Sequence, residues 1–482
     1  MNALQKILEK NHPTPLGTQV EPHLEGPIEQ SQQLVRNNEE MRPTQKFHAV
    51  RPAIGIDFGT TNSSVARASG SNVVDLVRFP RRAGETESFR SVLYMERVRQ
   101  GGSFRIGSWT GPQAIEHYLD AEKKGRLVQS LKSYLSSASL TGTEILGRHF
   151  SFEDLIARIL TDLRLNAEQQ FQTEIRQATV GRPVRFVGAE SEQDDLFATE
   201  RLRRAFVAAG FEQIDFAMEP EAAAYAYEAT LDHDELILIG DFGGGTSDFS
   251  LLRVGPGVRK RGRTPEDLLG NSGLGLAGDA FDARIVRKLV SPELGAGTLL
   301  HPASKMLPAV PAWIYSNLER WHYLSFLRTR HVEQILRTAR ARAIEPEKIE
   351  ALITLIHEDL GFQLHQAVQR LKYELSSSEA AEFRFIDGTM ELRKPVTRAE
   401  FESWIADDLA AIEGCIDGLF QATGVAHGDV DRVFLTGGTS FVPAVRAIFE
   451  RRFGAERVRS GNEFTSVARG LALRAIEASG AL

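Results

Sequence analysis

The chain of 482 residues is 42% hydrophobic and 25% charged, the balance of a soluble globular protein long enough for about three domains. Its formal charge of −7 gives no reason to expect nucleic acid or an anionic membrane as a partner. No apolar run is long enough to cross a bilayer and the first residues lack the apolar core of a signal peptide, so a cytoplasmic setting is expected.

Residues 1–50 are expected to stand apart as a disordered or loosely docked extension. After Leu4, Ile7 and Leu8, residues 12–41 are rich in Pro, Gln, Glu and Asn, with too little apolar surface to offset the entropy of ordering. The plain reading is a solvated tail; the sharper one is a docking arm anchored by those three apolar side chains.

An apolar run at 53–56, then Asp57-Phe58-Gly59-Thr60-Thr61-Asn62, then alternating apolar positions to 66 predict a β-hairpin with a tight turn of glycine and hydroxyl residues. Residues 73–80 and 91–95 are strand-like and 111–118 helical. Lys132 lies among apolar and hydroxyl neighbours in residues 127–135, a setting where most lysines are solvated helix residues. Leu155, Ile156, Ile159, Leu160 and Leu163 give residues 152–171 the stripe of an amphipathic helix. A strand at 178–180 and a helix at 196–209, capped by Gly210, follow. Glu219-Pro220-Glu221-Ala222-Ala223-Ala224 marks a strand-to-helix junction with an alanine face for close packing. Glu219 is either a functional junction residue or an acid favoured at a helix N-terminus.

Residues 238–251 echo the first hairpin through Asp241-Phe242-Gly243-Gly244-Gly245-Thr246-Ser247-Asp248. Backbone N–H groups in such bare turns can converge on an anion, and the aspartate ahead of each turn repels a phosphate unless a cation lies between. One such turn alone is more often an ordinary hairpin. Two in one chain point to a phosphate clamp around a hydrated divalent metal, with Mg²⁺ and a nucleotide fitting best. The order of elements restarts at 236, so an α/β architecture of two related halves is expected.

Gly273, Gly275 and Gly278 satisfy G-x-G-x-x-G, but residues 263–272 read as polar and turn-like, so a dinucleotide fold is rejected. Residues 285–375 are mostly helical, with an aromatic cluster at Trp313, Tyr315, Trp321, Tyr323 and Phe326 read as core, a partner surface being the alternative. His322, His331, His357 and His365 show no metal-ligand spacing. Strands at 382–386 and 389–392 precede a helix over 398–420. That helix holds Cys415, whose isolation excludes an internal disulfide. A strand at 432–436 feeds Gly437-Gly438 ahead of a helix at 442–453, a third phosphate- or ribose-contacting geometry.

In order, the motifs at 54–65, 218–227, 239–252, 276–282, 371–378, 397–401 and 434–443 resemble the nucleotide-binding domain of the Hsp70 (DnaK-like) chaperones, within the actin-like ATPase superfamily. Pro311-Ala312-Trp313 and Leu318-Glu319-Arg320-Trp321-His322 resemble the shorter YegD-like branch. The resemblance implies an actin-like ATPase fold, with lobe I over 51–230 and lobe II over 231–482 around a nucleotide cleft. Lobe II would carry a helical insertion at about 283–380, and the final helix would return to lobe I. Asp57 and Asp241 would hold the water shell of Mg²⁺. Gly59, Thr60, Thr61, Gly243, Gly244 and Gly245 would hold the phosphates of ATP or ADP, with Thr246 beside the γ-phosphate. Lys132 matches the family's catalytic lysine, and Asp248 and Glu219 match acids near the attacking water and the interlobe contact. Gly278, Lys372, Ser376, Gly437 and Gly438 would line the nucleoside. Water would attack the γ-phosphate in line, with the metal and Lys132 offsetting developing charge.

Three departures stand out. The sequence ends at Leu482 without an acidic-and-leucine linker or a β-sandwich for peptides, so no stable binding of extended hydrophobic peptides is expected. The helical region between Asp282 and Leu371 is longer than usual. Tyr373 and Phe441 stand where the family typically has two arginines, which predicts an aromatic pair against the base. The leading expectation is a chaperone-related, Hsp70-like protein with slow Mg²⁺-dependent ATP hydrolysis. The alternative is a non-hydrolysing, nucleotide-dependent switch or scaffold whose helical insertion binds a protein partner or co-chaperone. A metabolite kinase would need a second-substrate motif, and none is seen. Lys132, Asp248, Glu219 and Thr246 together favour the ATPase.

Overall fold

The structure is a computed structural model that describes residues 53–478 apart from 70–72, 122–124, 229, 302–306, 321–322, 325–326, 389 and 461–465. The expected extension at 1–50, and Trp321, His322 and Phe326 of the insertion, lie outside the described residues.

The first hairpin forms as the sequence predicts. β1 (Ala53–Phe58) pairs antiparallel with β2 (Asn62–Ala68), with Gly55 opposite Ala66 and Phe58 opposite Ser63. β2 continues to β3 (Val74–Leu76), while the other edge of β1 runs parallel to β4 (Gln177–Arg182), and β4 parallel to β5 (Gln213–Met218). The second half repeats this plan. β6 (Glu235–Phe242) is antiparallel to β7 (Ser247–Val254), β7 to β8 (Leu268–Leu274), and β6 runs parallel to β9 (Arg432–Thr436), which pairs with β10 (Val458–Ser460). Each sheet therefore reads third, second, first, fourth, fifth strand across its width. The parallel steps require crossovers, and each of them contains at least one helix. β1 and β6 are largely buried, which accounts for their near-continuous apolar sequences. Two copies of one topology make this the two-lobed α/β fold of the actin-like ATPases.

Helix α1 (Phe152–Phe171) begins where a capping box fixes it: Asp154 N donates to Ser151 Oγ at 3.0 Å. It buries Leu155, Ile156, Ile159, Leu160 and Leu163 in the lobe I core. α2 (Glu192–Ala208) starts four residues before the predicted 196, because the same device recurs at Ser191 and Asp194. α3 (Glu219–Glu228) leaves β5 directly. α4 (Gly278–Ile285), α5 (Gly361–Ser377) and α6 (Pro443–Phe453) follow in lobe II. α7 (Ser466–Ala478) packs back on the first sheet, where a β carbon on Gly55 would meet Ala472 N at 2.3 Å. It also crosses α3, where one on Gly470 would lie 1.6 Å from Ala222 O. No described helix is long and apolar enough to cross a membrane.

Three local readings are corrected. Residues 268–274 form strand β8, although 263–272 read as turn-like. Gly270, Asn271, Ser272 and Gly273 have little strand propensity, and pairing with β7 decides their conformation. β8 is an antiparallel edge and not the first strand of a parallel crossover, so the glycine motif after it builds no dinucleotide site. Lys132 does not sit on a solvated helix: strand Arg126–Gln129 leads into a single 3₁₀ turn, Leu131–Tyr134, and the lysine is buried. The helix predicted over 398–420 breaks at Ile405 into Arg398–Trp404 and Ala406–Thr423.

Candidate functional site

The two glycine turns meet. A β carbon on Gly244 would lie 2.3 Å from Thr61 Oγ1, and one on Gly245 3.4 Å from Thr60 Oγ1. Only bare backbone lets the loops approach this closely. Gly243 N donates to Thr246 O at 3.0 Å, and Asp279 N donates to Gly244 O at 2.8 Å, which ties the second turn to the start of α4. In the first turn, a β carbon on Gly59 would strike Asn62 O at 2.1 Å.

A charged cluster is buried beside these turns. Lys132 Nζ donates to Glu219 Oε1 at 2.6 Å, and both side chains are buried. Burial opposes the charge on Lys132, but Glu219, Asp57 and Asp248 outweigh it and raise its pKa. Burial, then the charge of Glu219, pushes Asp241 up to about 6. The same two causes, in the same order, lift Asp57 and Asp248 well above the usual carboxylate range. Thr436 Oγ1 donates to Asp241 Oδ1. Asp248 Oδ1 accepts from Val184 N at 2.8 Å and Arg185 N at 3.3 Å, and the Thr246 side chain also hydrogen-bonds to this carboxylate.

One ammonium among four acids leaves this pocket short of positive charge, and buried carboxylates in that state favour a cation. Among the described residues no group of three His, Cys, Asp or Glu side chains is placed to hold a bare metal ion.

A third cluster forms around Gly278. A β carbon there would lie 2.8 Å from Thr439 Oγ1, 3.4 Å from Lys372 Nζ and 3.6 Å from Gly243 O. Lys372 Nζ donates to Gly278 O at 3.2 Å and pairs with Asp282 at 2.5 Å. Thr439 Oγ1 donates to Gly243 O at 3.3 Å. Gly437, at φ +81°, passes so close to Phe242 O that a β carbon would sit 2.0 Å away; Gly438 beside it is exposed. The Gly437-Gly438 turn, Gly278 and Lys372 are therefore held at one place, next to the phosphate-type turn. Ser376 differs: its hydroxyl donates to Lys372 O within α5. Tyr373 and Phe441 flank these residues in sequence, 73% and 45% exposed, and among the described residues neither ring packs on another aromatic.

Sequence reasoning missed Thr436, Thr439, Asp279 and Asp282 as parts of the site. Asp279 and Asp282 had the signal of acids opening a helix beside a glycine. Burial, and then Asp282, pushes Asp279 up to about 6, against the pull of Lys372.

Chaperone protein DnaK of Thermosipho melanesiensis is 27% identical over 425 residues, which cover 88% of this chain and 58% of that protein. Thermosipho africanus DnaK matches to the same extent, and Thermotoga maritima DnaK is 26% identical over 423 residues, 88% of this chain and 59% of that protein. The chain thus spans less than two thirds of the length of these relatives. The Hsp70 protein family profile matches residues 120–294 and 353–481, well over half of the sequence. With the duplicated fold and the paired turns, this match places the chain in the Hsp70 family.

Proposed function

We propose that the chain binds ATP with Mg²⁺ between its two lobes and hydrolyses it slowly. The observation that carries this reading is the buried Lys132–Glu219 pair, set among Asp57, Asp241 and Asp248 where the two glycine turns meet. Thr60, Thr61 and the Gly243–Gly245 backbone cradle the phosphates, with Thr246 at the γ end. Asp57 and Asp241 would hold Mg²⁺, which would supply charge to offset the phosphate oxygens. Lys132 stays protonated and aims its charge at the transferring group. Asp248, with one oxygen fixed by two backbone N–H groups, is placed to accept a hydrogen bond from the attacking water. Gly278, Lys372, Gly437 and Gly438 hold the nucleoside, Ser376 supports Lys372 from within α5, and Tyr373 and Phe441 close on the base. Residues 51–230 and 231–482 act as the two lobes that shut over the ligand.

Single-turnover release of γ-phosphate with and without Mg²⁺ tests this. Metal-dependent release supports the reading; tight nucleotide binding with no release would replace it with a non-hydrolysing switch.

A further inference from the structure

Arg201, in α2, is 2% exposed and leads the fully buried side chains in size. Its Nε and Nη2 donate to Glu153 Oε1 and Oε2 at 2.8 and 3.2 Å. Its Nη1 points at four backbone carbonyls: Tyr134 at 3.0 Å, Leu135 at 3.2 Å, Ser137 at 3.1 Å and Leu140 at 3.3 Å. All four belong to the stretch that follows Lys132. Glu153 lies in the first turn of α1, whose start is fixed by its capping box. Burial works against the Glu153 charge, but the hydrogen bond from Arg201 prevails and holds its pKa below the usual value.

Leu131, Tyr134 and Leu135 bury their side chains in the core, and Arg201 holds the backbone of the same stretch. Lys132 sits on one 3₁₀ turn entered through Ser130 at φ +53°, a left-handed conformation rare outside glycine. Past the turn, the Tyr134 ring stacks on Phe152 and lies near Tyr323, and Ser136 Oγ donates to Val187 O at 2.6 Å. The guanidinium gathers carbonyls on both sides of Ser136. Lysine could not replace it, since a single ammonium lacks the planar fork that serves a carboxylate and the carbonyls together. The same loop faces the second glycine turn: a β carbon on Gly245 would lie 3.7 Å from Ser133 Oγ.

We propose that Arg201, clamped by Glu153, is a positioning residue for Lys132. It fixes the loop so that the ammonium is held at Glu219 and beside the phosphate turns. This rests on the ATPase reading above, in which Lys132 touches the reacting phosphate. Misplacement of such a group by about an ångström costs on the order of 10²-fold in rate without any loss of contact to the nucleoside.

The test uses the full chain and compares wild type with Arg201→Gln, Glu153→Gln, Lys132→Ala and Arg201→Gln with Lys132→Ala. Single-turnover γ-phosphate release and the affinity for a fluorescent ADP are measured for each. The expected result is release slowed by on the order of 10-fold or more in Arg201→Gln, and less in Glu153→Gln, with ADP affinity kept. The double variant should be no slower than Lys132→Ala alone, because the arginine acts only through the lysine. If Lys132→Ala slows release but the two clamp variants do not, the positioning role is overturned and the ATPase reading stands. Losses that add in the double variant, or ADP affinity falling in step with rate, also overturn it. If Lys132→Ala releases phosphate at the wild-type rate, both proposals fall. Should Arg201→Gln not fold, Glu153→Gln decides, since it keeps the guanidinium and removes the charge that clamps it.

Discussion

Lys132 Nζ and Glu219 Oε1 sit 2.6 Å apart although their residues are separated by 87 positions, one on a 3₁₀ turn and the other at the mouth of a helix. Neither charge would be tolerated alone at this depth. The pair keeps the lysine ionised where a phosphate would otherwise meet only carboxylates.

The first prediction follows from that pairing. Lys132→Ala and Asp241→Ala should each cut single-turnover phosphate release on the order of 10²-fold, as loss of one preorganised electrostatic contact does elsewhere. Both should keep a cooperative thermal transition. Wild-type release in both variants would rule out the catalytic assignment.

pH supplies the second. Asp241 is pushed up to about 6 from an ordinary value of 3.8. Between those values the folded protein binds more protons here than the unfolded chain does, so this group costs stability as pH rises through the window. Asn at 241 does not titrate. Relative to wild type, Asp241→Asn should therefore gain stability as pH rises from about 4 to above 6, measured by denaturant titration without ligand. Mg²⁺-nucleotide binding in the wild type should strengthen over the same range, with proton uptake by the calorimetry buffer. A constant stability difference across the range would show that the carboxyl is not buried in this way.

The third prediction concerns packing of the final helix. Gly55→Ala would drive a β carbon to 2.3 Å from Ala472 N and 2.5 Å from Ala468 O, both rigid backbone. Overpacking of this kind costs about 1–3 kcal/mol. Gly414, on an exposed helical position with nothing within 4 Å, is the contrast. Gly414→Ala should stabilise by up to about 1 kcal/mol, since alanine is the better helix former. Equal unfolding midpoints for the two variants would contradict the close contact between the first sheet and α7.

Much of this was legible in the sequence, and for a physical reason. A tight turn between two buried strands must announce itself in glycine and in apolar runs, so Asp57-Phe58-Gly59 and Asp241-Phe242-Gly243 could be read and paired. α1 was legible to its last residue because its apolar stripe is local. β8 was not, because Gly270 to Gly273 become a strand only through β7. Nor was the clamp at Arg201: an arginine on an acidic, polar helix looks solvated, and four of its acceptors are backbone carbonyls, which carry no residue identity. Thr436 was missed for a similar reason, since a hydroxyl at a strand end acquires its role from Asp241 on the neighbouring strand.

The last prediction concerns the base. Tyr373 follows Lys372 on α5, and Phe441 closes the short turn that carries Thr439; both neighbours reach the Gly278 backbone or its β position. The two rings are exposed, so they have surface to give to a ligand. In place of two guanidinium groups they offer π-faces without charge. Base–aromatic stacking contributes about 1–3 kcal/mol per base and tolerates any base, because every base has a π-face. Tyr373→Ala and Phe441→Ala should therefore each weaken ADP binding by roughly 10-fold, within that range. The wild type should separate ATP from GTP less than an arginine pair would, and Phe441→Arg should widen the gap. Calorimetry with ADP and GDP reads all of these. Unchanged affinity in both alanine variants would mean that the rings stay in solvent and that Gly278, Lys372 and the Gly437-Gly438 turn hold the nucleoside unaided.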